Sequence, residues 1–265
     1  MTQPFFSIIV VSYNAEATIR KTVESVLTQD FGDYEIVVKD AASSDGTVAA
    51  LPESDKIRLF VRPDGGIYDG MNEAIREARG KYLLFLNCGD YLASSDVLSR
   101  VYEVAKSLDE HSAVLYGDYT RSEVLFKSPS SLSLFYLFRT PLCHQTVFFG
   151  SGVFERFPSY DTSYRIMADY DLTLKAFRGG FSYVYVPAVI SDYLGGGVSE
   201  SDAERERKAE EYARIIQAHF TKRERRRFER KLFFSFRWLR QRLISDRSPK
   251  WLRRLYRRLV NRING

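Results

Sequence analysis

The chain contains little cysteine, no long hydrophobic run and no recognisable export signal. Its two cysteines, Cys88 and Cys143, lie in or beside apolar segments and lack the spacing of metal ligands, so buried, reduced thiols are expected. No apolar run approaches the ~18 residues of a membrane span, and FFSIIVV near the N-terminus is short and has no flanking Lys or Arg. We therefore expect a cytoplasmic protein rather than a secreted or membrane-spanning one.

Charge is distributed unevenly along the chain. Residues 222–265 contain 17 Lys and Arg against 3 Asp and Glu, a net charge of +14, which leaves −9 for the remainder because the whole chain carries +5. Apolar residues recur on one helical face of this segment, with Arg on the others: Leu252, Leu255, Tyr256, Leu259, Val260 and Ile263. We therefore predict an acidic globular body over residues 1–221 and a basic amphipathic helical tail over residues 222–265.

Apolar runs alternate with helical periodicities in the body, which predicts βαβ units and a mainly parallel α/β sheet flanked by helices. Strands are predicted at 6–11, 35–38, 57–61 and 82–86, with helices at about 19–27, 68–79 and 97–104. Gly80 is expected to end the second helix. Strands at 113–116, 123–126 and 146–149 should form a small antiparallel sheet, before a helix at 169–178, a strand at 183–186 and a charged helix at 202–220.

Two of the predicted strands end in a carboxylate. FLNCGD places Asp90 just after one strand, and EIVVKD places Asp40 at the end of another. Ligands of open α/β sheets bind beyond the carboxyl ends of the strands, so two acidic strand ends suit a divalent cation and a phosphorylated ligand. The alternative is that both carboxylates only cap turns or helices.

Six segments of this chain, taken in order, resemble the family 2 glycosyltransferases, which are nucleotide-sugar-dependent enzymes with the GT-A fold. They are SIIVVSYNAEATIRKTVESVLTQ, VVKDAASSDGT, DGGIYDGMNEAI, ARGKYLLFLNCGD, CHQTVFF and IMADYDLTL. Each motif alone is weak, because short Gly and Asp motifs recur by chance, whereas six in the family's order at compatible spacing are specific. The resemblance covers about residues 5–200 and implies a GT-A, Rossmann-like sheet.

The metal motif departs from the family pattern. Family members usually carry Asp-x-Asp, whereas this chain has Asn87-Cys88-Gly89-Asp90. A branch that resembles exopolysaccharide and O-antigen transferases carries an Asn-Ser-Gly-Asp form. By this resemblance Asp90 is the carboxylate that binds Mg²⁺ or Mn²⁺, and Asn87 is a donor-binding residue. The number of protein ligands to the metal is left open by the shortened motif.

The resemblance also implies which residues hold the donor. Asp40 is expected to bind the base, and the backbone near Val11, Ser12 and Tyr13 to line the pocket. The helix opened by DGGIYDGMN carries two further donor-binding residues, Asp69 and Asn72. Asp69 has an alternative as a solvated helix carboxylate.

A His-Gln pair of the same branch matches His144 and Gln145, which are expected to contact the diphosphate or the acceptor. The alternative for His144 is a structural hydrogen-bonding role. Residues 195–199, GGGVS, are either a loop that closes over the donor or an ordinary loop.

The family's general base is the Asp of a Glu-Asp or Ala-Asp pair at a helix start, which Asp169 in MADYDL matches. Asp171 points elsewhere around the helix and is expected to be a first-turn carboxylate that the helix dipole favours. A single base that directs one in-line displacement inverts the anomeric configuration, as the resemblance implies.

The donor is expected to be a nucleotide sugar, with a UDP-sugar as the first choice. The acceptor is expected to be a saccharide, and the basic tail favours one held at an anionic membrane, such as a polyprenyl-diphosphate-linked oligosaccharide. The protein is accordingly predicted to be peripheral on the inner face of the cell membrane, in cell-surface polysaccharide biosynthesis.

Two other classes share some of these features. A nucleotidyltransferase that makes nucleotide sugars should carry a Gly-rich phosphate-binding loop with a basic residue after the first strand, which VVSYNAEATI lacks. A non-catalytic RNA-binding protein would explain the Arg-rich tail but not the acidic strand ends. Nucleic acid is therefore not an expected partner.

Overall fold

The computed structural model describes residues 3–193 and 204–234, and within them the strands form one mixed sheet of nine. The chain separates into two compact units, Met1–Ile215 and Ile216–Gly265, and the sheet lies in the first. This unit begins with β1 (Phe6–Ser12), α1 (Ile19–Leu27), β2 (Tyr34–Asp40), β3 (Ile57–Val61), α2 (Ile67–Glu77), β4 (Tyr82–Asn87), β5 (Tyr91–Leu92) and α3 (Val97–Ala105).

The sheet is parallel in this part, in the order β3-β2-β1-β4. β1 and β2 are buried along almost their whole length, and their centres are the uninterrupted apolar runs that doubly covered parallel strands require. In α1, Ile19, Val23 and Val26 recur at helical spacing and pack into the same core. The predicted βαβ alternation is therefore confirmed.

The remaining strands continue the same sheet in the order β4-β8-β6-β9-β5. The elements are β6 (Ala113–Arg121), β7 (Val124–Phe126), α4 (Leu134–Arg139), a 3₁₀ turn (His144–Thr146), β8 (Val147–Gly150), α5 (Ser151–Arg156), α6 (Ala168–Arg178), β9 (Ser182–Tyr193) and α7 (Arg205–His219). β8 is antiparallel to β4 and β6, while β6 is parallel to β9. The strands expected to be antiparallel thus extend the main sheet instead of forming a separate one.

Aromatic side chains join the parallel and antiparallel parts of the sheet into one hydrophobic core. The ring of Phe6 in β1 lies 5.4 Å from that of Phe148 in β8 and 6.4 Å from that of Tyr82 in β4, measured between centroids. All three side chains are buried. Because edge-to-face aromatic pairs add to the free energy gained by burial, this cluster stabilises the junction at β4 on which the site depends.

The predicted end of α2 at Gly80 is wrong. The helix ends at Glu77, and Ala78 is already extended. Gly80 instead passes close to β1, where a Cβ would lie 2.4 Å from the backbone nitrogen of Ser7. Its N–H donates to Ser7 Oγ at 2.8 Å. Glycine is needed there for close approach of two backbone segments and not for ending a helix.

In the second unit, α8 (Lys222–Phe234) begins with a capping box. The Glu224 N–H donates to Thr221 Oγ1 at 3.2 Å, and the Thr221 N–H donates to Glu224 Oε2 at 2.8 Å. Phe228 is buried beside Phe220. The rest of the predicted basic tail, residues 235–265, and the predicted closing loop at 195–199 lie outside the described residues.

Candidate active site

The carboxyl ends of β2, β1 and β4 finish level with one another. In the parallel ladder Ser12 pairs with Asp40 of β2, and Val11 pairs with Asn87 of β4. These strand ends form one edge of the sheet, and the turns that follow them carry the acidic residues. This edge is where ligands of α/β sheets bind, so we describe the site from it.

Asp40 at the end of β2 is fully buried and accepts hydrogen bonds from Ser12 and Ser43. Its Oδ2 accepts hydrogen bonds from Ser12 Oγ at 2.8 Å and Ser43 Oγ at 2.6 Å, and its Oδ1 accepts from the Ser43 N–H at 2.8 Å. The carboxylate therefore holds the loop after β2 against the end of β1. Its contact with the base stays a prediction.

The loops after β1 and β2 are fastened to each other beside Asp40. Backbone N–H groups of one loop donate to side chains of the other: Asn14 to Ser43 Oγ at 2.9 Å, Ala15 to Thr47 Oγ1 at 2.7 Å and Ser44 to Asn14 Oδ1 at 3.0 Å. These bonds satisfy backbone N–H groups that lie outside the strand pairing and would otherwise bind water. The two loops therefore form one surface at the sheet edge.

Tyr13 is the exposed member of the three residues predicted to line the donor pocket, with 68% of its surface accessible. The carbonyl oxygens of Val11 and Ser12 are already engaged, because they accept from the Cys88 thiol at 3.4 Å and from the Ala41 N–H at 2.9 Å. Tyr13 is therefore the residue at this strand end with a side chain available to a ligand.

Gly89 allows the turn after β4 to place Asp90 at the edge. Its φ of 104° lies in the region that favours glycine. The Asp90 side chain is buried, and its Oδ2 accepts a hydrogen bond from Gln145 Nε2 at 2.8 Å. Burial is the largest influence on the pKa of Asp90 and raises it. Asp192 also raises this pKa, while the Gln145 hydrogen bond and His144 lower it, and the net shift is upward.

Gln145 orients Asp90 through one of its amide N–H groups. It is buried, and its Oε1 accepts from the Cys143 thiol at 3.0 Å while its Nε2 donates to Asp90. Burial raises the pKa of Cys143, so the thiol keeps the proton that it donates. Gln145 therefore contacts the metal motif, and its contact with the diphosphate or acceptor stays a prediction.

Cys88 lies between the two acidic strand ends. Burial, and secondly the charges of Asp40 and Asp90, raise the pKa of its thiol to about 12. The neutral thiol donates to the Val11 carbonyl at 3.4 Å. Both cysteines are free thiols and are partly buried, so the expectation of buried thiols is met only in part.

His144 connects the metal motif to the predicted base. Asn87 Nδ2 lies 3.1 Å from His144 Nε2, and His144 Nδ1 lies 3.7 Å from Asp169 Oδ2. With the amide donating to Nε2, the proton of the neutral ring is on Nδ1 and faces the carboxylate. His144 therefore lies between the metal motif and Asp169, and its contact with the diphosphate or acceptor stays a prediction.

Asp169 lies in the first turn of α6 and contacts a buried tyrosine. The Tyr68 hydroxyl lies 2.8 Å from Asp169 Oδ1 and 2.7 Å from the Ile166 carbonyl oxygen. Burial, and secondly the charge of Asp169, raise the pKa of Tyr68 well above its usual value, so the phenol is a donor. Asp171 points away from this site, as expected, and pairs with Lys175 Nζ at 2.7 Å.

Asn72 and Asp69 fix the surrounding backbone. Asn72 is buried; its Nδ2 donates to the Tyr160 carbonyl at 3.0 Å, and its Oδ1 accepts from the Tyr160 N–H at 2.7 Å. Each polar end of Asn72 thereby makes one hydrogen bond to Tyr160, and the contact of Asn72 with the donor stays a prediction. Asp69 Oδ2 accepts from the Gly65 N–H at 2.8 Å and so holds the turn before α2.

Oxygen ligands for a cation are available in the Asn87–Asp90 turn. Asn87 Oδ1 is buried and accepts no hydrogen bond from any described residue, and the Asp90 carboxylate lies three residues on. Within residues 3–193 and 204–234, no group of three His, Cys, Asp or Glu side chains is placed to hold a metal. The protein can therefore supply an amide oxygen and a carboxylate, which suits an ion that keeps water and substrate oxygens as ligands.

Two residues of the site were not found from the sequence. Tyr68 was noted only as the start of a helix, and Asp192 of β9 lies near enough to Asp90 to raise its pKa. Asp192 is the last residue but one of a strand whose predicted range stops at 186, so its place beside the metal motif could not be predicted. Its Oδ1 also accepts from Thr120 Oγ1 at 2.8 Å.

Solved structures identify the class of protein that has this sheet and acidic edge. S. aureus TarS 1–349 in complex with UDP-GlcNAc aligns with a TM-score of 0.64 at 20% identity, over 82% of this chain and 68% of that one. A mannosyltransferase from Pyrobaculum calidifontis, PcManGT, in complex with GDP-Man and Mn²⁺, aligns with a TM-score of 0.62 at 20% identity, over 81% and 64%. The chain covers only 44% of a longer TarS structure. The fold is thus that of GT-A glycosyltransferases, as predicted.

Sequence comparison identifies the family. Residues 7–157 match the profile of glycosyl transferase family 2. A PGL/p-HBAD biosynthesis glycosyltransferase of Mycobacterium tuberculosis is 32% identical over 216 residues, which cover 78% of this chain and 83% of that protein. The chain belongs to glycosyl transferase family 2 and is a glycosyltransferase, so the resemblance carried by its motifs is confirmed. No helix in the described part of the chain has the length and apolarity needed to cross a membrane.

Proposed function

We propose that the protein transfers a sugar from a nucleotide-sugar donor to a hydroxyl group of a saccharide acceptor, with a divalent metal and with inversion at the anomeric carbon. The observation that carries this proposal is the link through His144, whose ring lies between Asn87 of the metal motif and Asp169. A site for the leaving diphosphate and a base for the acceptor are then neighbours, as a single displacement requires.

The Asn87–Asp90 turn is the proposed metal site, with the Asp90 carboxylate and Asn87 Oδ1 as ligands. Mg²⁺ and Mn²⁺ prefer hard oxygen ligands, and Mg²⁺ is commonly held by one or two carboxylates together with substrate phosphates and water. When bound, the metal neutralises negative charge on the leaving nucleoside diphosphate. Gln145 holds Asp90 in position for this role.

The donor is proposed to bind over the joined loops after β1 and β2. Tyr13 offers an exposed ring there for the nucleotide, and Asp40 with Ser12 shapes the surface from beneath. We propose a UDP-sugar as the donor; TarS, one of the aligned proteins, was solved with UDP-GlcNAc, and PcManGT was solved with GDP-Man.

Asp169 is proposed as the general base. Tyr68 donates to its Oδ1, which leaves Oδ2 for the proton of the acceptor hydroxyl, with His144 Nδ1 at 3.7 Å from that oxygen. A positioned base of this kind contributes roughly 10² to 10⁴ in rate. One base acting on one nucleophile gives a single displacement, and hence inversion.

The acceptor is proposed to be a saccharide carried on a lipid at an anionic membrane, with the protein peripheral on its inner face. Within residues 222–234 there are seven Lys and Arg against two Asp and Glu. Most of these cations are exposed on α8. Clustered cations of this kind favour anionic lipid. The mycobacterial relative is named for PGL/p-HBAD biosynthesis.

Nucleotide release with a panel of nucleotide sugars tests the transferase proposal. In the presence of Mn²⁺, we expect one donor, or a few, to give turnover that EDTA abolishes and added Mn²⁺ restores. The Asp169→Asn variant is the matched control for contaminating hydrolases. Release that is independent of the donor offered, or turnover unchanged by EDTA, contradicts the metal-dependent mechanism.

Removing residues 222–265 should release the protein from anionic vesicles, because each Lys or Arg near an anionic leaflet contributes ~1 kcal/mol, less once salt screens it. Flotation with phosphatidylserine-containing and purely zwitterionic vesicles measures this. Arg226→Glu/Arg227→Glu is a second variant that keeps α8 while reversing two exposed charges. Equal binding by truncated and full-length protein contradicts the membrane role, and vesicle-independent RNA binding favours the RNA alternative.

A further inference from the structure

Glu211 of α7 is a buried carboxylate whose partners, among the described residues, are backbone amides. Only 4% of its surface is exposed. Its Oε1 accepts from the Arg165 N–H at 2.8 Å, and its Oε2 accepts from the N–H groups of Ile166 and Met167 at 2.9 and 3.0 Å. Three such bonds satisfy a buried charge in the absence of a cation. The carboxylate therefore holds one specific backbone segment.

That segment leads directly into the first turn of α6. Met167 is the residue before the helix, and Asp169 follows two residues later. The Ile166 residue is held from both sides, because its N–H donates to Glu211 while its carbonyl oxygen lies 2.7 Å from the Tyr68 hydroxyl. The same hydroxyl lies 2.8 Å from Asp169 Oδ1. Glu211 thus fixes the backbone on which the Tyr68–Asp169 contact depends.

Glu211 is itself held in place by its neighbours on α7. The ring of Tyr212 stacks on that of Tyr170 in α6, with centroids 5.8 Å apart and an interplanar angle of 6°. The Tyr212 hydroxyl donates to the Phe138 carbonyl at 2.6 Å. The Arg214 guanidinium lies over the ring of Tyr164, 4.6 Å from its centroid. These contacts leave the Glu211 carboxylate little freedom, as a positioning group requires.

We propose that Glu211 is a positioning residue for Asp169: by holding residues 165–167 it sets the position from which Asp169 reaches the acceptor hydroxyl. This inference rests on the proposed role of Asp169 as the base. A displacement of about 1 Å at a reacting group can lower the rate by about 10²-fold. A residue that only stabilised the fold would instead lower the melting temperature and leave kcat per folded enzyme unchanged.

Glu211→Gln is the first test variant, because Gln keeps the size but turns an NH₂ group toward backbone donors. We expect kcat to fall by about 10- to 100-fold, with KM for the donor and calorimetric donor affinity little changed. Glu210→Gln is the matched control, since Glu210 precedes it on the same helix and is exposed. Its kcat should equal that of the unmodified protein.

A double-mutant cycle separates positioning from stability. In the Asp169→Asn background, Glu211→Gln should lower kcat little further, because the group it positions no longer acts as a base. Full additivity of the two losses, or an unchanged kcat in Glu211→Gln, overturns the proposal. If Glu211→Gln does not fold, Glu211→Asp replaces it: an intermediate kcat supports positioning, and an unchanged kcat overturns it. Near-normal turnover by Asp169→Asn alone instead overturns the proposed base.

Discussion

Replacing Asp169 by Asn is expected to lower kcat by roughly 10² to 10⁴-fold while donor affinity changes little. Asn preserves the size of the side chain and can still accept from the Tyr68 hydroxyl, which lies 2.8 Å from Oδ1, but it cannot take the proton of the acceptor. Single-turnover transfer at saturating donor and acceptor measures the rate, and calorimetry measures the affinity for the nucleoside diphosphate.

Asp171→Asn is the matched control for that experiment. Asp171 is a carboxylate of the same helix, but it is buried and pairs with Lys175. Its replacement should lower the melting temperature and leave kcat nearly unchanged, because an uncompensated partner of an ion pair affects folding and not proton transfer. Transfer at a near-normal rate by Asp169→Asn, or loss of chemistry in Asp171→Asn alone, would show that the base is assigned to the wrong residue.

Asp90→Asn should weaken Mn²⁺-dependent binding of the nucleoside diphosphate by roughly 10²-fold or more, since even residues that only orient metal ligands contribute about 10- to 100-fold. Titrations with Mn²⁺ and with EDTA separate the metal-dependent part of the affinity from the rest. The EDTA titration should give the same weak affinity for both proteins. If Asp90→Asn retained its Mn²⁺-dependent affinity, Asp90 would not be the metal ligand.

Because the pKa of Asp90 is raised, its metal affinity and its contribution to folding stability should change with pH in opposite directions. Burial keeps its proton bound to a higher pH than in an ordinary Asp, so metal affinity should fall as the pH drops through that raised value. For folding, the ionised carboxylate costs free energy above the raised pKa, and this cost disappears at pH values below the unfolded pKa. Asp90→Asn should therefore leave the melting temperature of the metal-free protein at neutral pH no lower.

The sheet and its acidic edge could be predicted because their causes are local in sequence. β1, β2 and β4 are apolar runs that stop at a polar cluster, and parallel strands bring such ends to one edge. The order of motifs then indicated the family. β5, α4 and α5 escaped prediction because elements of two to six residues have too few positions to show a period.

The individual partners of the site residues could not be predicted, since they come from distant parts of the chain. Gln145 meets Asp90 across 55 residues, and Asn72 meets Tyr160 across 88. The resemblance to the family implied that both contact substrate. In the structure each also has a partner within the protein, which only a three-dimensional arrangement can reveal.

The contacts of Glu211 could not be predicted from the composition of its helix. It lies in RERKAEEYAR, where seven of ten residues are charged and the pattern is typical of a solvated helix face. Glu210 fits that interpretation and its neighbour does not. The difference arises from which side of α7 contacts residues 165–167, and no feature of the local sequence specifies that contact.

The cysteine within the metal motif has a consequence for reactivity. Oxidants and alkylating reagents attack the thiolate. A thiol with a pKa of about 12 is almost entirely protonated near neutral pH, so it forms very little thiolate. Burial, and secondly the charges of Asp40 and Asp90, keep Cys88 protonated, so the turn that carries Asn87 and Asp90 resists oxidation. A glycosyltransferase built this way tolerates a cysteine at its centre without becoming a redox sensor.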